Sequence, residues 1–145
     1  MNDIITETLI ALDIELIDKA AAINAIADLL ESNSRLVDRD LYVRDVYERE
    51  EMVPTGIGDL IAIPHARSAG VSRSSLVYLR LSSSIRWNDE EDARYIFGIA
   101  VPEDNVDNLH LKILSSVAKK LLDDKIKSII VSSTSIQQIL ESLLD

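Results

Sequence analysis

Two histidines, His65 and His110, are the only imidazoles in a chain of 145 residues that contains no cysteine. A neutral imidazole is a nucleophile near pH 7. The absence of cysteine excludes disulfides, thiolate metal sites and cysteine nucleophiles together. His65 closes the apolar run Leu60-Ile61-Ala62-Ile63-Pro64, a place where a side chain is held firmly at the end of a sheet. His110 falls in or just before the first turn of a helix and shares a face with Ile113, Leu114 and Val117, which turns it toward the body of the protein. A helix N-terminus carries free amides and partial positive charge, so it favours a neutral imidazole and an anionic ligand. Pro54-Thr55-Gly56-Ile57-Gly58 lies just before His65, and its two glycines allow close backbone approach. Arg49 stands on the helix that leads into this loop. Imidazole, guanidinium and glycine-rich backbone together suit a small anion. A two-histidine metal site completed by Glu50, Asp59 or Asp104 is the rival chemistry, although zinc sites usually recruit three or four protein ligands at recognisable spacing.

The charge distribution suits an anion without requiring one. The chain has 15 basic and 25 acidic side chains, a net −10, yet Leu60 to Asn88 holds no acidic residue and four arginines: Arg67, Arg73, Arg80 and Arg86. A local basic zone in an acidic protein attracts a negatively charged group, while scattered solvated arginines are the plainer alternative. The overall acidity argues against general affinity for nucleic acid. No apolar run approaches the roughly 20 residues of a membrane span, and the N-terminus lacks a signal-peptide pattern. A cytoplasmic protein without membrane insertion is the expectation.

The elements that must position these residues alternate between strand and helix. The pattern predicts a strand at 9–12, a helix capped by Asp18 to about Ser32, and a second helix from Asp38 to about Glu51 that carries Arg49. It then predicts a buried strand at 60–63, strands at 76–82 and 95–101 joined by a polar hairpin or loop at 86–92, and a loop at 102–108. A helix over about 109–122 follows, with a last helix capped by Ser133, Thr134 or Ser135 and ending near Leu144. The 95–101 strand is apolar on both faces, as in a sheet covered on each side. The fold class is α/β in a single domain over residues 1–145, of a size that buries a full core.

Two blocks carry a resemblance. Arg49-Glu50 followed by Thr55-Gly56-Ile57-Gly58-Asp59-Leu60-Ile61-Ala62-Ile63-Pro64-His65-Ala66-Arg67 resembles the signature of enzyme IIA domains of the bacterial sugar phosphotransferase system. The similarity is to the fructose–mannitol type, which includes nitrogen-regulatory IIA proteins. The second block is Ala100-Val101-Pro102-Glu103 with Asn108-Leu109-His110-Leu111-Lys112-Ile113-Leu114. Leu60 departs from the motif, which often has glycine there.

The resemblance implies a mixed β-sheet with helices on both faces. It implies that His65 is phosphorylated through a ring nitrogen, tele to the backbone, by the phosphohistidine of the carrier HPr, and passes the group to a cysteine of a IIB component. It also implies that His110 lies against His65 and that Arg49 helps hold the phosphate. Thr55 and the amides of Gly56 and Gly58 are weaker phosphate ligands on this reading, and Arg67 is a rim residue. No metal or cofactor is needed, because the incoming phosphoramidate is already activated. Asp59 and Glu50 are expected to pair with the arginines, and Trp87 and Asn88 to form a structural turn. The chain ends soon after the last helix, so the IIB partner is expected on a separate chain unless this is an excised domain. A regulatory module with the same phosphohistidine is the second functional reading. The sequence leaves homo-oligomerisation open.

Overall fold

The computed structural model describes residues 3–104 and 108–144, apart from the side chain of His110. Six strands form one mixed sheet: β1 (Ile10–Ile14), β2 (Gly56–Gly58), β3 (Ile61–Ala62), β4 (His65–Ser68), β5 (Ser75–Arg86) and β6 (Asp92–Pro102). Five helices accompany it: α1 (Lys19–Ser32), α2 (Arg39–Met52), α3 (Leu109–Leu121), α4 (Asp124–Ser132) and α5 (Ile136–Leu144). The long β5–β6 hairpin is the spine. β1 lies parallel to β5 on one side, and β3 and β4 follow one another along the far edge of β6, both parallel to it.

The two helices before the sheet's edge start where local chemistry says they should. The carboxylate of Asp18 accepts from the amide of Ala21 at 2.8 Å, and that of Asp38 from Leu41 at 3.1 Å, satisfying donors that a first turn leaves open. Ile23, Ile26, Ala27 and Leu30 give α1 its buried stripe.

Alternation along β6 assigns the helices to two faces. Gly98 faces α1, where a Cβ would meet the side chain of Ile26 at 2.7 Å. Its neighbour Phe97 stacks on Tyr78 with ring centroids 4.8 Å apart, and the Tyr78 hydroxyl donates to the carbonyl of Ile130 in α4 at 2.8 Å. Burial raises the Tyr78 phenol above its ordinary range, so it remains protonated as that donor. Arg80 shares this face, buried, with its guanidinium on the Asp13 carboxylate at 3.0 and 3.1 Å, and that hydrogen bond holds Asp13 below the usual carboxylate range.

The structure departs from the expected elements in four places. The 60–63 strand shrinks to Ile61–Ala62, because Asp59 and Leu60 both adopt positive φ (56° and 64°) to turn from β2 into β3. His65 opens a strand of its own, β4, instead of following the last one. Gly56–Gly58, expected as loop, pairs with β3. Residues 124–132 form α4, which the periodicity reading left unassigned. The polar turn at Trp87 and Asn88 is present: Asn88 Oδ1 accepts from the amides of Glu90 and Glu91 at 2.8 and 3.0 Å.

The conformation of Leu60 has a purpose, since it aims the Leu60 carbonyl at the amides of Arg94 and Tyr95, at 2.7 and 2.9 Å. A bulky side chain disfavours this region by roughly 1–2 kcal/mol. Leu60 is partly solvent-exposed, so little packing offsets the strain. Leu60→Gly is therefore expected to stabilise the fold by about 0.5–1 kcal/mol after glycine's greater unfolded-state entropy is subtracted, raising Tm by roughly 2 °C. Thermal unfolding followed by circular dichroism tests this, and a lower Tm refutes it.

Candidate functional site

His65 sits half-buried at the start of edge strand β4, in register with Ile99 of β6. Its Nδ1 lies 2.7 Å from the carbonyl oxygen of Ile63. A carbonyl only accepts, so Nδ1 carries the proton and the neutral ring keeps its lone pair on Nε2. The backbone thus selects the tautomer whose lone pair lies on the outer nitrogen. Ile63 is itself fixed, because its amide donates to the carbonyl of Thr55 at 3.0 Å.

Two adjoining clefts flank the ring. One, of about 400 Å³, brings together Arg49, Thr55, Gly56, His65 and the α3 residues Leu111 and Leu114. The other, of about 300 Å³, joins Arg49 and Met52 of α2 to His65 and Arg67. Arg49 lines both. It lies in the last turn of α2, where a cation faces the negative end of the helix dipole, and its Nη1 donates to the carbonyl of Val53 at 2.8 Å. Thr55 is 7% exposed, and its hydroxyl is buried without a hydrogen-bond partner. An orphaned buried hydroxyl costs roughly 1–3 kcal/mol.

The other expected residues divide. Gly58, at φ 88°, pairs with Ile61 in the β2–β3 hairpin and does not line these two clefts. Arg67 reaches the rim, but its Nε and Nη2 both donate to the carbonyl of Glu103, at 3.0 and 2.9 Å. The backbone of His110 lies in the first turn of α3, and its side chain is outside the described residues. The four arginines of the acid-free stretch do not form one patch, since Arg80 is buried against Asp13 and Arg86 pairs with Asp92 at 3.2 Å.

Two pairings differ from expectation. Asp59 meets Lys127 of α4 at 2.9 Å, and Glu50 meets Lys19 at 3.0 Å, so both partners are lysines instead of arginines. Glu50 also accepts from the Thr55 amide at 3.0 Å and from the Trp87 indole at 2.8 Å. Committed in this way, these two carboxylates are poorly placed to complete a metal site. Among the described residues, no three histidine, aspartate or glutamate side chains gather in a metal-holding arrangement.

Sequence reasoning missed the apolar rim. Met52, Val53, Ile57 and Leu111 are more than half exposed, and three of them line the clefts beside His65. The available signal was an apolar pair, Met52-Val53, directly before a proline–glycine loop, where polar residues are the rule. Exposed apolar side chains grouped around a reactive group mark a surface that docks another molecule.

The site thus sets a half-buried imidazole on a sheet edge beside an arginine and an apolar rim, an arrangement open to the approach of another macromolecule. The family model described as "Phosphoenolpyruvate-dependent sugar phosphotransferase system, EIIA 2" matches residues 3–145, and the chain belongs to that family. It is 31% identical to the fructose-specific EIIA component of Haloferax volcanii over 150 aligned positions, which cover all of this chain and 97% of that one. It is 29% identical to the fructose-specific EIIABC component of Bacillus subtilis over 143 positions, 97% of this chain and 22% of that protein. Against the EIIABC relatives, the chain spans about a fifth of their length. Among solved structures, the nitrogen regulatory protein IIA-Ntr of Neisseria meningitidis superposes with a TM-score of 0.81 at 26% identity, covering 97% of each chain. The IIA mannitol domain of Escherichia coli, solved in complex with phosphorylated IIB, gives 0.81 at 25% identity over 96% of each.

Proposed function

We propose that residues 1–145 form one IIA unit that works as a phosphocarrier: it accepts a phosphoryl group on Nε2 of His65 from phospho-HPr and passes it to a cysteine of a IIB component. The hydrogen bond from His65 Nδ1 to the Ile63 carbonyl carries this reading, because it leaves Nε2 as the nucleophile beside Arg49. The bond from phosphorus to the donor imidazole breaks as the Nε2–P bond forms, and the electron pair returns to the donor ring. The phosphoryl oxygens carry the charge in between, so the site's task is to position and stabilise. Arg49, the Thr55 hydroxyl and the Gly56 amide serve that purpose, with His110 entering from the first turn of α3 and Arg67 at the rim.

The shallow clefts and apolar rim suit two protein partners that must reach the same nitrogen in turn. The relatives named for fructose and mannitol components of the transport system favour a carrier over a regulatory module. No helix among the described residues is long and apolar enough to cross a membrane, which accords with a place in the cytoplasm beside HPr. Incubation with phosphoenolpyruvate, enzyme I and HPr should add the mass of one acid-labile phosphoryl group, which a IIB protein then removes. A mass unchanged with a matched HPr overturns the proposal.

A further inference from the structure

The reactive ring is tied to a buried carboxylate through backbone alone. Glu50 is 5% exposed, and its two oxygens receive the Thr55 amide, the Trp87 indole N–H and the Lys19 ammonium at 3.0, 2.8 and 3.0 Å. Lys19 also lies over the Trp87 ring, 4.9 Å from its centroid. From Thr55 the path continues outward: the Thr55 carbonyl accepts from the Ile63 amide at 3.0 Å, and the Ile63 carbonyl accepts from His65 Nδ1 at 2.7 Å. Three donors converging on one buried carboxylate fix its position to within a rotamer, since a shift toward any of them leaves another unsatisfied in a region of low dielectric. Thr55 therefore has a fixed backbone, and through it so does the carbonyl that selects the His65 tautomer.

We infer that Glu50 is a positioning residue for phosphoryl transfer: by anchoring the Thr55 amide it sets the Thr55–Ile63 pairing that holds His65 with its proton on Nδ1 and its nucleophilic nitrogen on Nε2. The inference rests on the phosphocarrier reading of His65. Glu50 touches no reacting atom. Its sequence neighbour Arg49 projects into the clefts from the same helical turn, so one turn of α2 both lines the site and secures the loop opposite.

Glu50→Gln tests this with minimal change of shape. Its amide has one oxygen for two backbone and indole donors, so its NH2 must face either Thr55 N–H or Trp87 N–H, and the anchor is lost at one of them. The expected result is a folded protein that accepts phosphate from phospho-HPr about 10-fold more slowly. In ¹⁵N-labelled protein, its His65 ring resonances should move from a single Nδ1–H tautomer toward a mixture. Tyr78→Phe, which removes the hydroxyl bond to Ile130 far from the clefts, serves as a destabilised control that keeps wild-type rate and tautomer. If Glu50→Gln does not fold, Trp87→Phe takes away one of the three donors and is expected to produce the same change in tautomer with a two- to threefold loss of rate. Wild-type rate and an unchanged tautomer in the folded variant overturn the inference, as does a slowed rate with an unchanged tautomer. Failure of the wild-type protein to take phosphate would instead overturn the phosphocarrier reading.

Discussion

His65→Gln is expected to abolish phosphoryl acceptance, with a loss of at least about 10³-fold, because the variant has no nucleophilic nitrogen to replace the imidazole. The amide retains a hydrogen-bond donor for the Ile63 carbonyl, which imidazole Nδ1 now meets at 2.7 Å, so the β3–β4 segment keeps its satisfied backbone. Position 65 is half-exposed on an edge strand, and substitution there opens no core cavity. Tm should accordingly move by no more than a few degrees while the phosphoryl mass disappears. Persistence of one phosphoryl group in the intact mass would place the acceptor elsewhere. Arg49→Ala makes an instructive comparison. It leaves the imidazole and removes the guanidinium that lines both clefts, so transfer should continue roughly 10²- to 10³-fold more slowly, the range found when one preorganised donor is taken from a site of developing negative charge. Rates measured with phospho-HPr separate the two roles: a missing acceptor gives no product at any time, whereas a missing charge gives full product late. Equal and complete loss in both variants would mean that Arg49 holds the site together instead of stabilising charge within it.

What the amino-acid order reveals of this arrangement follows the range of the forces involved. Asp18 and Asp38 are readable as caps because each carboxylate answers an amide three residues away. The stripe of α1 is readable because its period is that of the helix itself. The α/β layering follows from β6, whose unbroken apolar run requires cover on both faces. Strands β2, β3 and β4 are different. With two to four residues each, β3 and β4 exist only because β6 supplies an edge to pair with and β2 only because β3 does, and nothing within 56–68 announces those edges. Helix α4 does carry a local signal, since Asp123 accepts from the amides of Lys125 and Ile126, yet only two residues separate it from the helix before. At the site, residue types and spacing gather His65, His110 and Arg49 as an anion site, and the resemblance adds the expectation that His65 is the acceptor. The role of Glu50 was out of reach, because its acceptors' partners come from 37 positions downstream in Trp87 and from α1 in Lys19. Reading Glu50 as the partner of an arginine assumed that the nearest abundant cation in sequence is the nearest in space.

Gly70→Ala should damage both fold and transfer, and it does so from a position with no chemistry of its own. A Cβ there would stand 2.3 Å from the carbonyl oxygen of Asp38 and 3.0 Å from the amide of Tyr42. Both are backbone atoms of the first turn of α2, which cannot swing aside as a side chain would. The Gly70 carbonyl also accepts from the amides of Val37 and Asp38, at 2.8 and 3.1 Å, so the two segments cannot separate without breaking those bonds. Relief requires α2 to move as a body, and its buried Tyr42, whose hydroxyl donates to the Ile99 carbonyl at 3.2 Å, resists that movement. Overpacking usually costs about 1–3 kcal/mol, and a rigid backbone obstacle sets the expectation at the upper end, near 3 kcal/mol, or a fall in Tm of roughly 6–12 °C. The functional consequence comes from the other end of the same helix. Arg49 and Glu50 lie about three turns beyond Asp38, and a helix displaced at its start carries both away from β4. Phosphoryl acceptance measured well below the lowered Tm should therefore also fall, by about as much as in Arg49→Ala. A variant that loses stability but keeps wild-type transfer would show that α2 absorbs the extra methyl within its first turn, and that the seating of its last turn on His65 is set locally by the Glu50 and Val53 contacts.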